Sequence, residues 1–226
     1  TQLMLGVDRD SEICTELFRR ELGVNPSPAL RDAAEAHRPR PGSPSRPAIL
    51  AQLEAGEAAC AAGAVSAGLE ALHQAATDAE TGGEPGLIAR SLVALGSALV
   101  HAARGSDEEG AEVLHRAIDA ADRAGEADLS ATAHRELGYI EFLRGHYDRA
   151  DGWLSRAAQL AGRDTVERAW ILAVQGAGCT DTGDYPAARI LRDEATRQAQ
   201  ATGATRAEAW VGSFVGRLHL LCHEWD

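Results

Sequence analysis

The sequence predicts an all-α chain of stacked helical hairpins, on three observations. The 226 residues are 45% hydrophobic but 4% aromatic, and an Ala-rich, aromatic-poor core suits helices that approach closely over small side chains. A glycine recurs at Gly56, Gly96, Gly138, Gly176 and Gly216, at intervals of 40, 42, 38 and 40 residues, and an alanine at Ala75, Ala117, Ala157 and Ala195, at intervals of 42, 40 and 38. Between these landmarks each copy carries a turn. Self-similarity at such a period marks a repeat architecture.

Taken in chain order, a helix through Cys14, Leu17 and Phe18 stops at Gly23. Asn25-Pro26 then forces extended backbone, and Ser27-Pro28 supplies an N-cap with a first-turn proline, so this stretch is a tight helical corner. The string "HRPRPGSPSRP", His37 to Pro47, holds four prolines, three Arg and one His. It cannot propagate a helix and is expected to be a semi-rigid spacer, with a docking site for proline-recognising domains as the other option. The chain thus divides into residues 1–36, a linker at 37–48, and repeats over 49–226.

Within the repeats the turns are "AAGAV" at Gly63, "ARGSD" at Gly105, "RGHYD" at Gly145 and "TGDYP" at Gly183, with "CHEWD" at the end. Each of the first four precedes a small residue, Gly68, Gly110, Ala150 or Ala188, where two helices can cross closely. Second helices are expected to close at Gly82 or Gly83, Gly125, Gly162 and Gly203, and Pro186 falls just inside a helix start. Leu92, Leu95 and Leu99, like Val211, Phe214, Val215 and Leu218, follow an amphipathic helical period. Such hairpins bury both faces only by stacking, giving about four and a half units. The last unit has a first helix alone, so its apolar face at Val211, Phe214, Val215 and Leu218 is expected to lack a neighbour. That helix caps the array, meets further chain, or forms a homodimer.

The pattern Leu137-Gly138, Gly145-x-Tyr147, Ala150, Leu154, Ala157 resembles the tetratricopeptide repeat, which implies a right-handed solenoid over residues 49–226. Departures are a period above the family's about 34 residues and Gly in place of a unit-ending Pro. Glu141 and His219 take a first-helix slot that is usually aromatic or aliphatic, and Arg192 takes the slot held by Leu72, Leu114 and Leu154. The string "ELGVNPSPALR", within residues 8–36, resembles the end of the bacterial transcriptional activation domain of regulators of the Streptomyces antibiotic regulatory protein type. That resemblance implies an actinobacterial, cytoplasmic transcription activator with its DNA-binding domain outside this chain. The formal net charge of -12 agrees, since phosphate binding needs clustered cations. DNA is therefore expected to be reached only through that other domain.

Catalysis and metal binding find little support. "GAGCTDTG", Gly176 to Gly183, lies late in a helix and has no Lys, unlike a phosphate-cradling loop that follows a strand. In "HLLCHEWD", His219, Cys222 and His223 share a helical face and could ligate zinc or copper, but such pairs arise readily by chance. Glu108-Glu109 and Asp193-Glu194 are adjacent carboxylates on surface turns or faces, not a converging pair. No enzyme activity, cofactor or metal is expected. Cys14, Cys60, Cys179 and Cys222 are far apart, as reduced thiols in a cytosolic protein would be, and no apolar run approaches a membrane span.

The expected working surface is the concave face lined by first helices. The repeat register places there Arg90, Val93, Ser97 and His101; Arg135, Tyr139 and Phe142; Trp170, Ala177 and Asp181; and Trp210 and Arg217. Aromatic and Arg side chains dominate interface energies, so this trough suits a protein or peptide partner or a small-molecule effector. The competing expectation is that Trp170 and Trp210 fill core between repeats.

Overall fold

The computed structural model describes residues 19–20, 44–103 and 105–221. Among these, nine helices follow one another: α1 (Arg46–Ala61), α2 (Val65–Gly82), α3 (Pro85–His101), α4 (Asp107–Ala124), α5 (Ala127–Leu143), α6 (Tyr147–Leu160), α7 (Thr165–Asp181), α8 (Tyr185–Thr202) and α9 (Thr205–Leu221). No strand occurs among the described residues. The chain separates into two compact units at Ser45/Arg46, and all nine helices belong to the second. Apart from Arg19 and Arg20, which are helical, the motif at 8–36 lies outside the described residues, as does most of the proline-rich stretch. Helix α1 begins at Arg46, inside the expected linker. Proline is tolerated in a first turn, so Pro47 starts the helix where its neighbours suggested a spacer.

Each helix packs on the next, and the odd helices also pack on one another: α1 on α3, α3 on α5, α5 on α7 and α7 on α9. The backbones of even helices approach only odd ones, and even helices meet one another through side chains alone, Arg116 on α4 pairing with Glu80 on α2 and His115 on α4 meeting Trp153 on α6 at 5.5 Å. Short connections make consecutive helices hairpins, and the odd helices form one continuous layer with the even helices outside it.

The Leu-Gly landmarks explain why the hairpins close so tightly. A Cβ added at Gly56, Gly96 or Gly138 would lie 2.8, 2.7 and 2.8 Å from the Cγ of Leu72, Leu114 and Leu154. Each leucine is a knob from the second helix seated on a bare patch of the first. Their burial, 0%, 0% and 1% exposed, contributes roughly 2 kcal/mol apiece.

The helix ends follow from local chemistry. Gly145, at φ 75°, turns α5 into α6, and Gly125, at φ 71°, closes α4 by donating its N–H to the Ala121 and Asp122 carbonyls; side chains rarely adopt either conformation. Asp164 accepts from the backbone N–H of Val166 and Glu167 at the start of α7. Asp184 accepts from Ala187 at the start of α8, where Pro186 lies in the first turn. On α9, Val211 and Leu218 are buried and Phe214 and Val215 half-buried. The face expected to lack a neighbour is therefore largely covered by α7 and α8, with which α9 packs.

Candidate functional site

The odd-helix layer gathers most of the polar and aromatic side chains expected to share a surface. At its base lies a buried charge cluster. Glu136 on α5 accepts from Ser97 Oγ at 3.1 Å, lies 2.7 Å from His101 Nε2, and pairs with its neighbour Arg135 at 3.0 Å. Arg135 is 1% exposed and also donates through Nε to Glu167 on α7 at 2.7 Å. One guanidinium thus serves two buried carboxylates. Burial alone would raise the Glu136 carboxyl, but Arg135, with His101 and Ser97, overcomes this and holds it at about 2. Glu167 has fewer compensating partners, and burial pushes it above the ordinary carboxylate value against the pull of Arg135.

Aromatic rings cover this cluster. Trp170 on α7 lies over the Arg135 guanidinium, 4.5 Å from its centre, and Arg206 approaches the same ring at 5.8 Å; such contacts gain strength where water is excluded. Trp210 on α9 is the hub. Its ring lies 6.0 Å from Trp170, 5.4 Å from Tyr139, 5.3 Å from Phe214 and 5.2 Å from His101. Tyr139 stacks on His101 at 5.1 Å, and Phe142 meets Tyr139, Tyr147 and Phe214 at about 6 Å. The indole N–H groups of Trp170 and Trp210 are buried, and neither meets an acceptor among the described residues. An unpartnered buried donor is costly, on the order of 1–3 kcal/mol.

Toward the open edge, Asp181 accepts from Tyr147 Oη at 3.2 Å and from Arg217 Nε and Nη2 at 2.8 and 2.9 Å. The two-pronged pair fixes the end of α9 against α7 and leaves the Arg217 side chain half exposed. No protein-family model matches the chain, and no curated protein matches it.

Of the expected surface residues, Ser97, His101, Tyr139, Trp170, Asp181, Trp210 and Arg217 are thus linked by contacts along the expected trough, while Trp170 and Trp210 also pack on the core around Ala169, Ala173 and Val211, as the competing expectation has it. Arg135 and Phe142 face the same way but are buried beneath it instead of lining an accessible wall, because ion pairs occupy the first and neighbouring rings the second. Arg90, two turns before Ser97, is exposed and makes none of these contacts. Of the other residues in that register, Val93 and Ala177 are core.

Glu136, Glu167, Tyr147 and Phe214 also belong to the trough, though sequence patterns did not single them out for it. Helical spacing puts Phe214 four residues after Trp210, on the same face, and that was the available signal. The carboxylates carry no mark in an acidic chain. Elsewhere, Gly176 to Gly183 is the end of α7 and its turn, and burial raises the Cys179 thiol, helped by Asp184 and Asp151, which disfavours the reactive thiolate. No group of metal-ligating side chains forms among the described residues; Cys222 and His223 lie outside them. No helix among the described residues is long and apolar enough to cross a membrane.

Proposed function

We propose that residues 46–221 form a right-handed solenoid of tetratricopeptide-like hairpins. It serves as the non-catalytic interaction region of a cytoplasmic bacterial transcription activator of the Streptomyces antibiotic regulatory protein type. The odd-on-odd helix packing and the repeated Leu-on-Gly contact support the solenoid. The motif at 8–36 supports the regulator, whose DNA contact is made by a domain outside this chain. The trough is its working face, and the observation that carries this is the joining of polar and aromatic side chains from α3, α5, α7 and α9 around the one Trp210 ring. A peptide segment of a partner protein packs on the exposed parts of these rings and presents a carboxylate to the half-exposed Arg217. Binding there shifts the pose of the DNA-binding domain by favouring one arrangement over another.

A small-molecule effector in the same trough is the alternative occupant. A dimerisation module is a second reading, favoured by Leu220 and Leu221, which stand 54% and 42% exposed at the end of α9. Trp210→Ala and Trp170→Ala, introduced into the regulator that carries this region, separate these readings by light-scattering mass and reporter transcription. Altered transcription at unchanged mass is the expected result. Loss of a dimer transfers the role to α9, and unchanged transcription and mass in both variants sink the trough proposal.

A further inference from the structure

Trp210 makes its ring contacts far from the helices on which its own helix packs. The backbone of α9 approaches α7 and α8, yet the indole reaches His101 on α3 at 5.2 Å and Tyr139 on α5 at 5.4 Å, besides Trp170 on α7 at 6.0 Å. Three helices therefore hold one ring that α9 lends them. His101 and Tyr139 meet it edge to face, at interplanar angles of 85° and 61°, an arrangement that aromatic pairs prefer. The walls of this pocket are fixed without Trp210. Tyr139 stacks on His101 at 5.1 Å, His101 is held by Glu136 at 2.7 Å, and Trp170 lies over the Arg135 guanidinium. His101 is exposed and Tyr139 and Trp170 are half-buried, so the pocket has a mouth at the surface.

The helix that supplies the occupant is less firmly held than the walls. A Cβ added at Gly56, Gly96 or Gly138 would meet a leucine of the following helix, and one at Gly176 would meet Leu191 at 3.3 Å. At Gly212 and Gly216 on α9 it would meet nothing within 4 Å. Among the described residues α9 is thus packed from one side, and it can tilt outward without displacing a neighbour. Near the open edge its tie is the Arg217–Asp181 pair, whose arginine side chain is 49% exposed. A pair so open to solvent contributes little and exchanges readily for another anion.

We infer that the pocket of His101, Tyr139 and Trp170 receives an aromatic side chain of the partner protein, and that Trp210 is its built-in competitor, seated there until the partner displaces it. The ring that fills the pocket shows what the pocket accepts. This rests on the trough being the partner face, and it names the group that the partner inserts. A partner carboxylate that takes Arg217 from Asp181 undoes the tie of α9, so the two contacts act together: the acid loosens the helix, and the partner's ring takes the place that Trp210 leaves. The partner shifts α9 by binding its displaced position better than its seated one.

N-acetyl-tryptophanamide, an uncharged indole, is the probe, with N-acetyl-leucinamide as its aliphatic counterpart. Both are titrated by calorimetry while the ring resonances of Tyr139 are followed. Trp210→Ala vacates the pocket and is expected to bind the indole at least roughly tenfold more tightly than the unsubstituted protein, because the open form is no longer a minor population. Leucinamide is expected to bind that variant roughly fivefold more weakly than the indole does. Arg217→Ala keeps every ring and only loosens the tie, so the indole tightens severalfold. Circular dichroism checks the helices of both variants, and Arg217→Ala decides the matter if Trp210→Ala does not fold. No indole binding to folded Trp210→Ala, equal binding of the two probes to it, or an affinity unchanged by Arg217→Ala would each overturn the proposal. Transcription altered by Trp210→Ala without indole binding keeps the trough and overturns the pocket; indole binding with unaltered transcription keeps an aromatic pocket and overturns its use by a partner.

Discussion

Glu136 and Glu167 share one guanidinium yet titrate in opposite senses, and stability should record this. Glu136 falls from 4.5 to about 2 on folding, so its contribution is present above about pH 4.5 and is lost as pH drops from there towards 2. Glu167 is raised; its contribution is greatest below its unfolded value and declines as pH rises through the folded one. Glu136→Gln should therefore cost roughly 3 kcal/mol near neutrality, as breaking a buried pair does. The gap from the unsubstituted protein, read by urea unfolding, should narrow as the pH is lowered from about 5 to about 3. Glu167→Gln should cost less at neutral pH. Two glycines give a second contrast. An added Cβ at Gly138 meets Leu154 Cγ at 2.8 Å and the Ala150 carbonyl at 3.2 Å, whereas at Gly152 it meets nothing within 4 Å. Thermal melts should show Gly138→Ala destabilised by about 1–3 kcal/mol and Gly152→Ala stabilised by up to about 1 kcal/mol, since Gly152 sits inside helix α6.

At the level of the helix, α7 depends on its cap. Asp164 satisfies two amides that would otherwise lack partners, so Asp164→Ala should lose about 1 kcal/mol and speed hydrogen exchange at Val166 and Glu167. Caps and turns of this sort were legible in the sequence: Gly125, Gly203 and Pro186 fall where their backbone requirements put them. The start of α1 was not, because a run of prolines masks the one proline that suits a first turn. The trough was legible to the extent that helical register could carry it. Trp170, Trp210 and Tyr139 share a face by periodicity, but Arg135 and Glu167 meet across separate helices, and spacing within one helix says nothing of such a pair. Arg192 was visible as a departure from Leu, although its consequence, that Leu191 Cβ and not a leucine Cγ stands nearest a Cβ added at Gly176, appears only once α7 and α8 are packed.

For the molecule as a whole, most contacts run between neighbours, and an array of that kind unfolds unit by unit when its interfaces are weak. Trp210 breaks the pattern. From α9 it touches His101 on α3, passing over α5 and α7, and its contacts with Tyr139 and Trp170 bind the intervening hairpins to the same ring. Unfolding followed by tryptophan fluorescence and by circular dichroism should therefore coincide in the unsubstituted protein. In Trp210→Ala the transition should broaden or split, with the C-terminal helices melting first; coincident, equally sharp transitions in that variant would mean that nearest-neighbour packing alone supplies the cooperativity. A row of hairpins joined only in sequence stretches like an open spring. One whose last described coil grips the second cannot lengthen until that grip is released, so Trp210 sets the span of the array as a clasp sets the length of a chain.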